Sequence, residues 1–302
     1  MTNLLHPGRF ISPKQSEANI GLMLALPIAL VMFLLVFFPV CVTLWDSLHR
    51  VAPMRAGTPF IGLKHYWDLF HDDNVRAAAL NTSVYVVFTV LLETVFGVFV
   101  AVLLNTVKVG RKWLLGAVIL PWALPPIVNA LIWLWIYNPN YGVLNNFLLS
   151  TGVLNERHVW MNDRFVALML ISLVHVWRMM PLTAVIVLAA LQSIPHSLYE
   201  AAELDGAGNW GKFRTITLPL IASAVAIALT QSTLFAFNLF DEAWVLSGSS
   251  LDTRTVLIQV YMSAFQDMQF SYGMALSVIV MFLSLAISLF YVLRIYRETR
   301  FD

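Results

Sequence analysis

The chain has 302 residues, 59% hydrophobic and 12% charged, against about 45 to 50% and about 25% in an ordinary soluble domain. A net charge of +1 from 18 basic and 17 acidic residues gives no polyanion-binding signal and excludes nucleic acid as a partner, while such hydrophobicity excludes a disordered chain. The one cysteine, Cys41, cannot form an internal disulfide, so no redox framework or cysteine metal cluster is available.

A helix crosses a bilayer core with about 20 apolar residues. Six stretches meet this in chain order: Ile20 to Trp45, Val84 to Leu104, Trp113 to Tyr137, Phe165 to Leu191, Leu218 to Leu246 and Tyr272 to Leu293. The expected fold class is an all-α integral membrane protein with six transmembrane helices over residues 20–293, a segment 1–19 before them and a tail 294–302 after them. The first stretch is too long for a signal-peptide core, so it reads as an uncleaved span.

Basic residues flanking the spans set the orientation. With the N-terminus inside, the inner segments carry Arg9, Lys14, Lys108, Arg111, Lys112, Lys212, Arg214, Arg294, Arg297 and Arg300. The outer loops carry Arg50, Arg55, Lys64, Arg76, Arg157, Arg164 and Arg254 over a longer stretch. Both termini are therefore expected in the cytoplasm, with the loop 192–217 on the same side. Trp45, Tyr85, Trp113, Trp133, Trp135, Tyr137 and Trp177 crowd the expected interfaces, where an amphipathic ring anchors a helix. Prolines inside the spans at Pro27, Pro39, Pro121, Pro125, Pro126 and Pro181 each free a carbonyl. Kinks lining a cavity and kinks in a static bundle both account for them.

The inner loop after the fourth span carries the most information. Ser197 with Glu200 three positions on has the form of a capping box, so a short helix is expected to start there. Gly206 can take the left-handed conformation that ends such a helix, and Asn209 can cap a second one. The result is a helix-turn-helix elbow with small apolar faces at Ala201, Ala202, Leu204 and Ala207. Such an elbow suits a close groove on another protein or a resting place on the bilayer surface. The string from Gly206 to Lys212 also has the G-x-x-x-x-G-K spacing of a phosphate-binding loop. Phe213 stands where Ser or Thr would hold magnesium, and a helix precedes it where a strand is required, so nucleotide binding by this chain is discarded.

Glu200-Ala201-Ala202, Asp205-Gly206-Ala207, Phe213, Ile216, Leu218 and Pro219 resemble the E-A-A motif of ATP-binding-cassette importer permeases. Phe60 to Tyr66, Asn81-Thr82, Leu120-Pro121-Trp122, Asn138 to Asn145 and Leu191 to Pro195 extend the resemblance to the sugar-uptake branch, MalF-like subunit. One departure is Leu246-Ser247-Gly248-Ser249-Ser250-Leu251, where the family usually has a glycine-rich loop. The resemblance implies a type I importer permease fold in a bacterial inner membrane. It also implies a heterodimer with a second, MalG-like permease, two cytoplasmic ATPase subunits and an extracytoplasmic solute-binding protein. ATP and magnesium would belong to the ATPases, with no catalysis, cofactor or metal in this chain. Glu200, Ala201, Ala202, Asp205, Gly206 and Ala207 would couple the spans to ATPase closure.

An ionisable group at mid-bilayer costs about 2.5 to 3.5 kcal/mol on insertion scales and should face the protein interior. Glu93 reads as a translocation-path group or as a carboxylate bonded to a neighbouring helix. Trp177 and Arg178 suit either a sugar site or interfacial anchoring, and His175 lacks a second histidine at metal spacing. Gln231, Asn238 and Asp241 or Glu242 recur at helical spacing and form one polar stripe. By resemblance, that helix lines the substrate cavity and Ser232 falls on a ligand-contacting position. The competing function is a proton-coupled secondary transporter using Glu93 and Asp241, which would not need the elbow.

Overall fold

A computed structural model describes residues 13–51 and 57–298 of the chain. Arg9, Arg55 and Arg300 of the orientation argument lie outside the described residues. Helix α1 (Pro13–Met32), a π-helical turn (Phe33–Phe37) and α2 (Phe38–Ser47) form the first span. Pro39 has no N–H to give the carbonyl four residues back, and the wider π turn directly before it carries the helix past that gap. A short α3 (Lys64–His71) leads into the 34-residue α4 (Asp73–Thr106). Asp72 caps α4 by accepting the N–H groups of Asn74 and Val75, so this helix starts well before the apolar run that hydropathy picks out.

The third span is not the single helix expected. Helix α5 (Arg111–Ala123) meets α6 (Pro126–Ile136) at 94°. Pro125 and Pro126 carry no N–H, and Leu124 before them is extended, as proline requires of its predecessor. After α7 (Val143–Ser150), the 30-residue α8 (Arg164–Ser193) runs straight through Pro181. Helix α9 (His196–Leu204) and α10 (Asn209–Lys212) make the elbow. A π turn (Phe213–Thr217) and α11 (Leu218–Leu220) continue from it, and α12 (Ala222–Phe237) leaves at 67° to them. The fifth span therefore ends at Phe237, and α13 (Asp241–Ser247) is a separate helix. Helix α14 (Val256–Tyr261), a third π turn (Met262–Gln266) and α15 (Phe270–Glu298) complete the described residues.

Parallel α4 and α8 form the centre, meeting from Asn81–Arg164 at one end to Leu104–Leu191 at the other, with α12 against both. Gly97 of α4 permits the close crossing, because a Cβ there would lie 2.5 Å from Thr183 Cγ2 of α8. Around that crossing the core is aliphatic, from Ala101, Leu104, Val187, Leu188, Leu191 and Ile221. At the far end from the elbow, α4 holds the loop before α14. Asn81 Nδ2 donates to the carbonyls of Leu251 (3.0 Å) and Arg254 (3.1 Å), and Arg164 donates to Asn81 Oδ1 at 2.9 Å. The Tyr85 hydroxyl donates to the Thr253 carbonyl at 3.0 Å, and the Val256 N–H donates to Thr82 Oγ1 at 2.9 Å. The stretch that departs from the glycine-rich pattern is thus tied down by buried side chains of another helix.

Candidate functional site

Two places on the bundle carry chemistry that packing alone does not require. The first is the elbow, which follows α8 after the extended Ile194 and Pro195. Pro195 occupies the N-cap and offers no side-chain cap. The expected capping box does not form: Glu200 turns instead to His196, with Nδ1 and Oε1 3.0 Å apart. Gly206 ends the helix at φ +79°, as its lack of a Cβ permits. The Ala207 N–H donates back to the Ala202 carbonyl at 2.9 Å. The second short helix starts with Gly208, not Asn209, in the N-cap position, and it too lacks a side-chain cap.

Two contacts fix the elbow's angle. Lys212 Nζ donates to Glu203 Oε1 at 2.6 Å across the two arms, and the Tyr199 and Thr217 hydroxyls meet at 3.0 Å. The Lys212 hydrogen bond holds the Glu203 carboxyl below its ordinary range, with the ammonium charge adding to it. Outward from this brace, Glu200, Ala201, Asp205 and Gly206 are exposed, Ala202 and Ala207 are half-buried, and Leu204 is 90% exposed. An apolar tip ringed by carboxylates on a braced helix is a shape for insertion into another protein.

The second place is a set of polar groups within the helices. Glu93 is fully buried and accepts two hydrogen bonds, from Thr183 of α8 at 2.8 Å and Ser232 of α12 at 2.7 Å. It joins the three central helices, and both of its oxygens are engaged. Ser232 faces this knot.

Arg178 is the fifteenth of the 30 residues of α8, about 20 Å of helix from either end. That distance removes the interfacial-anchoring reading for it. Its Nε donates to Glu242 Oε1 of α13 at 2.8 Å, and His175 Nδ1 lies 3.3 Å from the same oxygen. Glu242 and His175 are buried, whereas the Arg178 side chain keeps 12% exposure. Half-buried aromatic rings stand near these residues along the chain, Trp177 on α8 and Phe240 and Trp244 at α13. Trp177 stands edge-on to Trp133 at 5.7 Å, Phe240 stacks on Trp244 at 5.9 Å, and Tyr261 packs edge-on to both of the latter.

The single stripe expected along the fifth span is divided. Asn238 is the C-cap of α12, and the backbone turns at Phe240 before α13 begins, so helical periodicity does not carry across that point. Gln231 and Asn238 share a groove with Ile227, Leu234, Phe235 and Val292. Asp241 and Glu242 lie on α13, with Glu242 in the Arg178 cluster. Sequence reasoning offered Glu242 only as an alternative to Asp241 on the polar stripe and did not pair it with Arg178. The signal for it was Arg178 itself, since a mid-span guanidinium requires a carboxylate partner.

Residues 93–298 match the family described as binding-protein-dependent transport system inner membrane component. Over 92% of its length the chain is 33% identical to the trehalose/maltose transport system permease protein MalF of Thermococcus litoralis, covering 94% of that protein. It is 30% identical to the sn-glycerol-3-phosphate transport system permease protein UgpA of Yersinia enterocolitica, with 93% of this chain and 95% of the relative covered. A chain of a bacterial ABC transporter involved in the import of the acidic polysaccharide alginate superposes with a TM-score of 0.82 at 21% identity. That superposition covers 94% of this chain and 97% of the other, so the fold is shared almost end to end. A proton-coupled carrier is set aside by these relationships, and the chain belongs to the binding-protein-dependent transport system inner membrane components, as a multi-pass permease subunit of an ATP-binding-cassette importer, a transport component and not an enzyme.

Proposed function

We propose that the chain imports a sugar or sugar derivative, paired with a second, MalG-like permease and driven by two cytoplasmic ATPase subunits. A solute-binding protein delivers the ligand at the end of the bundle opposite the elbow. This reading rests on relatives named for trehalose, maltose and sulfoquinovosyl glycerol transport, and on a solved alginate transporter of like fold that is in complex with its ligand-bound periplasmic protein. Both termini lie in the cytoplasm. Residues 1–19 and 294–302 flank the permease unit 20–293, with 192–217 as the coupling loop.

The observation that carries the proposal is the braced, protruding elbow. Glu200, Ala201, Ala202, Asp205, Gly206 and Ala207 form its outer surface, and Leu204 its tip. When ATP closes the partner subunits, the elbow moves with them, and α8, joined to it through two residues, passes the motion into the bundle. Only a stiff link transmits such a displacement, which gives the Glu203–Lys212 and Tyr199–Thr217 contacts their purpose. The solute path runs past Trp177, Arg178 and Asp241, with Gln231 and Asn238 on the neighbouring groove. Glu93 and Ser232 form the knot that holds the path's helices together.

Glu200→Lys reverses a charge on the outer surface, and Gly206→Val places a β-branched residue at φ +79°. Both variants are expected to assemble with the ATPases yet to hydrolyse ATP without uptake, measured in proteoliposomes with the binding protein. Normal uptake per ATP in both would refute the coupling role.

A further inference from the structure

Arg178 is the one cation deep within the described spans. Every other described lysine or arginine stands in a loop, in the elbow or in the terminal turns of a helix. Its charge is already spoken for: Glu242, buried on α13, takes its Nε at 2.8 Å. Asp241, the next residue along, is half-exposed beside that pair. With His175 neutral, the four groups carry one net negative charge, and with His175 protonated they carry none. In neither state does the cluster present free positive charge.

What remains unpaired is hydrogen-bonding capacity. The two terminal nitrogens of Arg178 make no hydrogen bond among the described residues, the Asp241 carboxylate offers acceptors, and Trp177 next to Arg178 on α8 and Phe240 and Trp244 at α13 add half-buried aromatic surface. Adjacent donors and acceptors beside aromatic rings match vicinal hydroxyls, which both donate and accept, on a ring with apolar C–H faces. A carboxylate, sulfonate or phosphate would instead approach two fixed acids with no uncompensated cation to receive it.

We infer that the solute taken by this chain is an uncharged glycoside or polyol, and that Glu242 excludes anionic counterparts by cancelling the charge of Arg178. The inference rests on the sugar-importer reading and narrows it. It separates this chain from relatives named for sn-glycerol-3-phosphate and for the sulfonated sulfoquinovosyl glycerol, and from the transporter of acidic alginate.

The test uses the complete importer complex, held in its nucleotide-bound state, and equilibrium binding of two probes. Maltitol and maltobionate share a glucosyl skeleton and differ by one terminal group, an alcohol in one and a carboxylate in the other. Wild type is expected to favour maltitol by about tenfold or more. Glu242→Gln frees the guanidinium charge and is expected to move the maltobionate-to-maltitol affinity ratio upward by about tenfold or more, with Asp241→Asn moving it the same way by less. A merely structural role for Glu242 would weaken both probes together and leave the ratio alone. Equal or tighter binding of maltobionate by wild type overturns the inference, as does a ratio that neither variant raises. ATP-driven uptake in proteoliposomes separates the two readings. Loss of all sugar uptake refutes the importer proposal, whereas intact uptake with an anionic preference refutes only the charge rule.

Discussion

Two buried glutamates in this bundle have opposite surroundings. Glu93 spends both oxygens on hydroxyls of neighbouring helices and makes no other side-chain hydrogen bond among the described residues. Glu242 holds a guanidinium whose terminal nitrogens make no hydrogen bond among the described residues, close along the chain to half-exposed aromatic rings and a second acid. A saturated polar cluster can only hold helices together, whereas an unsaturated one retains hydrogen bonds to give. The chain keeps these two tasks on different faces of its central helices, α8 contributing Thr183 to one and Arg178 to the other.

The largest effect should come from Glu242→Leu, which strands the Arg178 charge at mid-membrane. Breaking a buried pair from one side costs about 3 to 5 kcal/mol, so the purified complex should lose much of its thermal stability, read as the unfolding midpoint. A midpoint within a degree or two of wild type would show that water, not Glu242, neutralises the arginine. Next comes Glu93→Ala, which removes the acceptor for two hydroxyls and leaves a small cavity at a cost of about 2 to 3 kcal/mol. Its midpoint should fall less, and the charge preference among solutes should stay that of wild type; a changed preference would erase the division between the two clusters.

The smallest stability effect belongs to Lys212→Met in the elbow, where the salt bridge is open to water and the midpoint should hardly move. Uptake per ATP hydrolysed should nonetheless fall, because the brace is lost. The bridge also carries a pH signature. Lys212 lowers the Glu203 carboxyl below its ordinary value of 4.5, so its stabilising contribution is complete above that value. It is lost as the pH falls through the lowered one. Coupling should therefore weaken on the acid side in wild type and lose that dependence in Lys212→Met.

The spans and the elbow were legible because hydropathy and the E-A-A spacing are written in consecutive residues. Gly206 was legible for the same reason, its positive φ being a local property. The corners were not. Leu124-Pro125-Pro126 reads as a kink, but a 94° turn depends on where α6 finds its neighbours. Likewise Gln231, Asn238 and Asp241 keep helical spacing on paper while Asn238 to Phe240 leave the helix. Ser197 lost its capping role because Pro195 as N-cap starts the helix two positions sooner than the box requires and His196 captures Glu200. The pairing of Arg178 with Glu242 spans 64 residues, a separation that no window of sequence displays.

The corner between α5 and α6 sets a boundary for wetting. The Trp122 carbonyl would look to the N–H of residue 126 for its partner, but both 125 and 126 are prolines. Acyl chains offer no donor to replace it. That backbone must therefore be turned toward protein or hydration, and where neighbouring subunits leave a gap, an aqueous inlet has to extend at least to the level of this bend. The two prolines thereby set the least depth that such a hollow must reach if no bare peptide is to face fat.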